Sequence, residues 1–598
     1  MSSQGATGRE ARFAGGTAAM VIEQTAPELD PPGRETLERI RSRLVRPMPN
    51  DRIWGWLLPL SVTVFGGVLR FWRITRPGGH SLHKSSSIVF DETYYAHDSW
   101  SMLHHGVETN GLMHGTSFVV HPPLGKWMMA IGEALFNHGG QVKFHGTLYP
   151  ASPLSFRFMG ALLGTLAILM TARIARRMFR STALGVVAGT LLALDGLEFV
   201  QSRTAMLDIY LMFWVIAAFG CLVVDRDWGR RRLAERLDHP LGFYEWGPRV
   251  GFRPWRWGAA LSIGAACATK WNGAYYIPAL ILLAVAWDIG ARRVAGTRGY
   301  GMWRSGGGGR GLDAWMWVNV LGRVVAPIVA LMLLVPAAVY LASWTGWFLS
   351  NGTYAYDHDL YVRAGQNWLQ HDWAVLHGWW HYNRVEIWGY DKTLHAAHPY
   401  LSKPWGWLLL ARPVAYYYQT PGGCGADSCA TEVLGIGNPA LWWATIPALI
   451  AVIWVWISRR DWRAAGIVTA FAFGFLPWVV QAMMIVPTDP PCTPAGDCHR
   501  TMFLFYMLPN VPFMVLAVTM AIGLVIGHRG QSEVRRAAGL TVAAGYLSVV
   551  AILFYFFYPI LAARNIPQDQ WHRRIWFTHS CDANADRNQH HEDAPCWI

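Results

Sequence analysis

Apolar stretches close to the length of a bilayer crossing recur along this 598-residue chain, with short arginine runs between them. About 20 apolar residues cross the hydrocarbon as a helix, so the pattern predicts an all-α polytopic membrane protein. About eleven spans are expected. They run approximately from Trp54 to Trp72, Phe156 to Ile174, Ala183 to Leu197, Leu207 to Val224, Trp257 to Trp271, Ala274 to Ile289, Val318 to Leu341, Ala440 to Ile457, Ala465 to Met484, Met502 to Ile526 and Leu540 to Leu561. Only 15% of the residues are charged, against about 25% in soluble domains. The 33 Trp and 22 Tyr suit the boundary between hydrocarbon and water, where amphipathic rings collect.

The net charge of +13 does not point to nucleic acid, because the arginines fall in short runs between spans and form no continuous face. They read as topology signals. The N-terminal tail and the runs at 173–180, 226–236, 292–310, 459–463 and 529–536 reach one side if every span crosses, and that side is the cytoplasm by the positive-inside rule. Residues 1–52 form a polar, partly disordered cytoplasmic tail. No short apolar stretch with a cleavage site opens the chain, so the first span itself is expected to direct insertion. The loop 73–155, the segment 343–439, the loop 486–500 and the tail 562–598 then face outward. Cys424 with Cys429, Cys492 with Cys498 and Cys581 with Cys596 fall two by two in those outward segments, where disulfides form. Cys221 and Cys267 lie in spans. A zinc site at Cys492, Cys498 and His499 lacks the usual paired spacing, so no metal site is expected.

The first outward loop carries Phe90-Asp91-Glu92, and on a helix the two acids point about 100° apart. They should divide roles, unless they are a solvated first helical turn favoured by the dipole. His121-Pro122-Pro123-Leu124-Gly125-Lys126 stops one segment and starts an interfacial helix. Lys126 there would meet a phosphate or snorkel to headgroups. Arg70, Arg157, Arg203, Asp208, Lys270 and Arg500 sit at or within span ends, where a charge usually faces a polar cavity. A guanidinium at Arg157 or Arg500 matches phosphate oxygens, or anchors to headgroups. His398-Pro399-Tyr400 and Pro404-Trp405-Gly406-Trp407 suit sugar or peptide contact, or an amphipathic helix on the membrane. Asn351-Gly352-Thr353 matches a glycosylation acceptor.

Taken in order, Phe90-Asp91-Glu92, His121 to Lys126, Arg157-Phe158, Ser202-Arg203 through Asp208, Thr269-Lys270-Trp271-Asn272-Gly273, His398-Pro399-Tyr400 and Pro404 to Trp407 resemble the protein O-mannosyltransferases from about residue 54 onward. The resemblance implies a C-type glycosyltransferase fold. It also implies a polyprenyl-phosphate-mannose donor and transfer, with inversion, to Ser or Thr of exported polypeptides. The interval between the seventh and eighth spans is too short for the β-trefoil of eukaryotic members, so the chain looks like the bacterial, actinobacterial branch. The segment 503–509 departs from the Tyr-His-Tyr core of many members, which leaves that His without a counterpart.

On this reading residues 53–342 form the N-terminal transmembrane catalytic module, 343–439 an extracytoplasmic segment with amphipathic helices, and 440–561 the C-terminal transmembrane helices. Asp91 is the expected base and Glu92 its positioning partner. Arg157, Arg500, Lys126 and His121 would bind the donor phosphate. Arg203, Asp208, His398, Tyr400 and Trp405 would contact sugar or acceptor, or support the site. No cofactor is required in principle, a divalent cation on the phosphate being the alternative. The expected partners are the donor lipid, Ser/Thr-rich exported chains, the bilayer of the plasma membrane and a secretion translocon. A lipid or polysaccharide acceptor keeps the same fold. A transporter would instead place paired charges near the midplane.

Overall fold

The computed structural model describes residues 34–79, 81–82, 87–109, 120–138, 140–144, 146–238, 250–295, 320–349, 368–394, 398–484, 499–528, 530–577 and 597. Asn351 to Thr353, Cys492, Cys498, Cys581 and Cys596 lie outside them. A short helix α1 (Arg34–Leu44) precedes the first span, α2 (Trp54–Phe71). The loop between α2 and the next long helix holds α3 (Glu92–His105), α4 (Leu124–Phe136) and a hairpin of β1 (Gln141–Phe144) and β2 (Thr147–Pro150). Next come α5 (Pro153–Phe179), α6 (Thr182–Ala193), α7 (Gly196–Ser202), α8 (Leu207–Glu235), α9 (Pro254–Thr269), α10 (Tyr276–Val294) and α11 (Ala326–Ser343). The second outward segment contributes α12 (Trp368–His381), α13 (Trp388–Thr393), β3 (Val414–Gln419) and β4 (Cys429–Gly435). Helices α14 (Pro439–Arg459), α15 (Trp462–Met483), α16 (Val511–Ile526) and α17 (Glu533–Leu561) follow, and β5 (Ile566–Pro567) pairs with β4.

Among the described residues, nine of the expected spans are single helices long and apolar enough to cross a membrane. The other two differ for identifiable reasons. The expected span from Ala183 to Leu197 is the pair α6 and α7, bent by 65°. Asp195 causes the break: its carboxylate accepts from the Glu198 N–H at 2.9 Å, restarting the helix, and from Trp442 Nε1 at 2.8 Å. Gly196 follows because a Cβ there would strike the Ile436 carbonyl. The helix α9 has 16 residues, about 24 Å of rise. It nevertheless runs between the same two levels as α8. Arg253 at its start bonds Asp225 at 2.9 Å, and Lys270 at its end bonds Asp208 at 3.0 Å.

Side-chain distribution follows the solvent. The helix α16 is buried nearly all round, as expected of a helix apolar on every face, whereas α7 is buried with its polar Glu198, Gln201 and Ser202 paired inside. On the periphery, Val64, Leu334, Ile450, Trp454 and Tyr555 are exposed; apolar side chains on so many outer helices belong against lipid. The outward segment 343–439 contains helices as expected, but also β3, β4 and a share of a three-stranded sheet. That sheet was not legible, because the alternation of Val414 to Gln419 resembles the amphipathic aromatics around it. Cys424 and Cys429, one of the cysteine pairs singled out in the sequence, form a disulfide between β3 and β4.

Candidate active site

The motif residues before α3 set the site. Phe90 adopts a left-handed backbone with φ of +48°, a conformation costly for a bulky residue. It is held by stacking of its ring on Tyr416, centroids 5.0 Å apart. Asp91 follows as the N-cap of α3, yet its carboxylate makes no capping hydrogen bond. It lines a cavity of about 1850 Å³ instead. Burial pushes its pKa up to about 6, Asp208 adding to the rise and Lys270 opposing it.

Glu92 turns the other way. Its two oxygens accept from Arg157 Nε and Nη2, both at 2.7 Å, and from the N–H groups of Val89 at 2.9 Å and Ala205 at 3.0 Å. Arg157 Nη1 donates to the carbonyls of Ile74, Arg76 and Pro77. Neither side chain is exposed. The two acids therefore have different surroundings, and Glu92 joins α3, α5 and the turn before α8. Arg157 does not face the cavity in this structure, contrary to expectation, because all its donors serve that junction.

The remaining candidates sort by what holds them. Gly125 seats the first turn of α4 against α8 and α9, where a Cβ would meet Leu207 and Thr269. Lys126 consequently lies on the cavity wall, with Glu108 at 2.5 Å and Asp98 at 3.2 Å. Two carboxylates already neutralise it. His121 lines the cavity as well, and burial together with Lys270, Lys126 and Arg500 holds its pKa well below the usual imidazole range. Burial and the neighbouring cations thus favour the neutral ring. Asp208 reaches the site through Lys270, which it grips with both oxygens at 3.1 and 3.0 Å. His398 lies on the wall, edge-on to Phe503 at 4.9 Å.

Arg500 is different. It lines the cavity, its Nε donates to the Asp391 carbonyl at 2.9 Å, and its guanidinium lies over Trp478 at 5.5 Å. The Asp391 carboxylate is 3.6 Å away, and Nη1 is buried with no hydrogen-bond partner. That donor is available to an anion in the cavity. Three candidates lie elsewhere. Arg203 donates to the carbonyls of Leu69, Arg70, Trp72 and Arg73, closing the end of α2. Tyr400 and Trp405 are not on the cavity wall, and Trp405 is half exposed. Sequence reasoning missed Asp98, Glu108, Asp391 and Trp478. Only Asp391, a lone acid among aromatics in Trp388-Gly-Tyr-Asp391-Lys, left a signal. Among the described residues, no cluster of three metal-ligating side chains forms.

A multi-helix membrane bundle with an acid and a guanidinium that keeps one free donor in the same end cavity fits a membrane-embedded glycosyltransferase. The model of the dolichyl-phosphate-mannose-protein mannosyltransferases matches residues 60–345, and that of the C-terminal four-helix region of protein O-mannosyltransferases matches 375–484. A polyprenol-phosphate-mannose–protein mannosyltransferase of Mycobacterium tuberculosis is 36% identical over 535 residues, 88% of this chain and 92% of that protein. A Corynebacterium glutamicum protein of the same name is 31% identical, over 86% and 92%. In fold, the chain is similar to the Saccharomyces cerevisiae protein O-mannosyltransferase complex solved with its sugar donor, with a TM-score of 0.60, 15% identity and coverage of 92% and 94%. The chain belongs to the protein O-mannosyltransferase family.

Proposed function

We propose that the enzyme transfers mannose from polyprenyl-phosphate-mannose to Ser or Thr hydroxyls of exported polypeptides, with inversion at the anomeric carbon. The observation that carries this reading is the shared cavity of Asp91, whose carboxylate is unbonded, and Arg500, whose Nη1 is unpaired. The acceptor oxygen attacks the anomeric carbon as the bond to the phosphate oxygen breaks. A Ser hydroxyl is too weak an acid to ionise beforehand, so Asp91 takes its proton as the new bond forms. The phosphate leaves with the bonding electrons, and Arg500 offsets the charge that develops on it. The bilayer is that of the plasma membrane. The N-terminus lies inside, and the cavity and C-terminus face outward. Basic runs at the opposite end of the bundle and the Cys424–Cys429 disulfide at this end support that orientation.

Transfer of labelled mannose from synthetic donor to a Ser/Thr-rich peptide by purified protein tests the proposal, with and without chelator to test a divalent ion. Labelling of a lipid or glycan but not of peptide would overturn the acceptor. Two further outcomes follow. Arg500→Ala should raise the donor KM roughly 10- to 100-fold, the worth of a hydrogen bond to a charged group, and Arg500→Lys should recover only part, since the fork is lost. The pH profile of kcat/KM should fall on the acid side of pH ~6. The base works deprotonated, so at pH ~5 roughly one-tenth of the plateau should remain. A flat profile from pH ~5 to ~8 would remove Asp91 from that role.

A further inference from the structure

A second cavity, of about 690 Å³, opens at the end of the bundle opposite Asp91. Its apolar walls come from α10 and α15, including Leu282, Gly290 and Val468, and three arginines, Arg226, Arg230 and Arg460, stand at its mouth. Helix α8 fixes the separation of the two ends: from Asp208 to Arg226 it rises about 27 Å, close to the thickness of the hydrocarbon.

Internal pairing satisfies these arginines only in part. The side chain of Arg226 is 10% exposed and lies 3.6 Å over the ring of Trp462. Its Nη1 donates to Asp227, but its Nε is buried with no hydrogen-bond partner. Asp227 is shared with Arg177 and Arg180, and Asp461, the other acid nearby, is held by Arg463 at 2.5 Å. Arg230 donates to the backbone carbonyls of Leu44 and Arg43. Arg460, the exposed left-handed residue that ends α14, has no carboxylate within ion-pair distance among the described residues. The mouth therefore carries excess positive charge above an apolar groove.

We infer that this groove binds an anionic phospholipid of the leaflet opposite the catalytic cavity, its phosphate between Arg226, Arg230 and Arg460 and one acyl chain along α10 and α15. A basic mouth over an apolar cleft between spans matches both halves of such a molecule, and the buried Nε of Arg226 supplies a directed donor. Ala472 and Phe473 wall this groove and the catalytic cavity alike. The bound acyl chain ends where the catalytic cavity begins.

The test is retention of lipid by the full-length protein in nanodiscs of equal phosphatidylglycerol and phosphatidylcholine, read by native mass spectrometry. Phosphatidylglycerol should be retained preferentially, and Arg460→Gln and Arg226→Gln should each lower that preference about fivefold, the effect of one basic residue near anionic lipid. Arg460 is exposed, so its variant keeps the test clear of misfolding. Equal retention of the two lipids, or an unchanged preference in Arg460→Gln, would overturn the site. Displacement of phosphatidylglycerol by added polyprenyl phosphate would give the groove to the carrier lipid. Displacement by inorganic phosphate alone would reduce it to an anion site without an acyl chain. Either result replaces the phospholipid proposal.

Discussion

Asp91→Asn should slow mannose transfer by roughly 100- to 10,000-fold, the range of general-base catalysis, while donor affinity and thermal stability stay close to those of the parent protein. The substitution preserves shape and removes only the ability to accept a proton. Folding should tolerate it because the Asp91 carboxylate does not cap α3, and its burial disfavours the charged form. Single-turnover transfer with preloaded donor separates chemistry from binding. A variant that turns over at the parental rate would exclude Asp91 as the base, and one that fails to bind donor would make it a binding residue.

Arg157→Ala should cost about 3–5 kcal/mol of stability, the penalty for leaving one member of a buried ion pair without its partner. Glu92 would keep only the N–H groups of Val89 and Ala205, and the carbonyls of Ile74, Arg76 and Pro77 would lose their donor. The expected reading is a large fall in thermal midpoint in detergent, with little properly folded protein recovered from membranes. Glu92→Gln should fall less, since an amide still meets one arm of the guanidinium. A double-mutant cycle with both changes should return a coupling well above zero. Were Arg157→Lys to keep its midpoint yet show a raised donor KM, Arg157 would belong with the phosphate ligands after all.

Nine of the eleven expected spans and the motif residues that line the cavity were legible because they rest on local signals: apolar length and motif order. What stayed hidden is pairing across distance. Arg157 meets Glu92 across 65 residues and Arg500 meets the Asp391 backbone across 109, and nothing near either arginine signals which partner arrives. An arginine at a span end is equally consistent with a buried anchor, a helix closure such as Arg203, and an open ligand such as Arg500. Lys126 shows the same limit, since Glu108 and Asp98 claim it only after α3 and α4 pack together. Asp195 breaks one expected span for a related reason: its partners Asn438 and Trp442 lie on a remote helix and its approach.

The carboxylates around Lys126 and Lys270 bear on turnover. Mannose is delivered on a phosphodiester with a single negative charge, whereas the spent carrier is a monoester whose second ionisation near pH ~6 brings it toward two. A pocket with every cation open would hold the spent carrier more tightly than the fresh one and would stall after one cycle. With Lys126 and Lys270 already neutralised, Arg500 is left to meet the extra charge largely alone. Weak inhibition by added polyprenyl phosphate is the expected result, and product-inhibition kinetics of the transfer reaction check it.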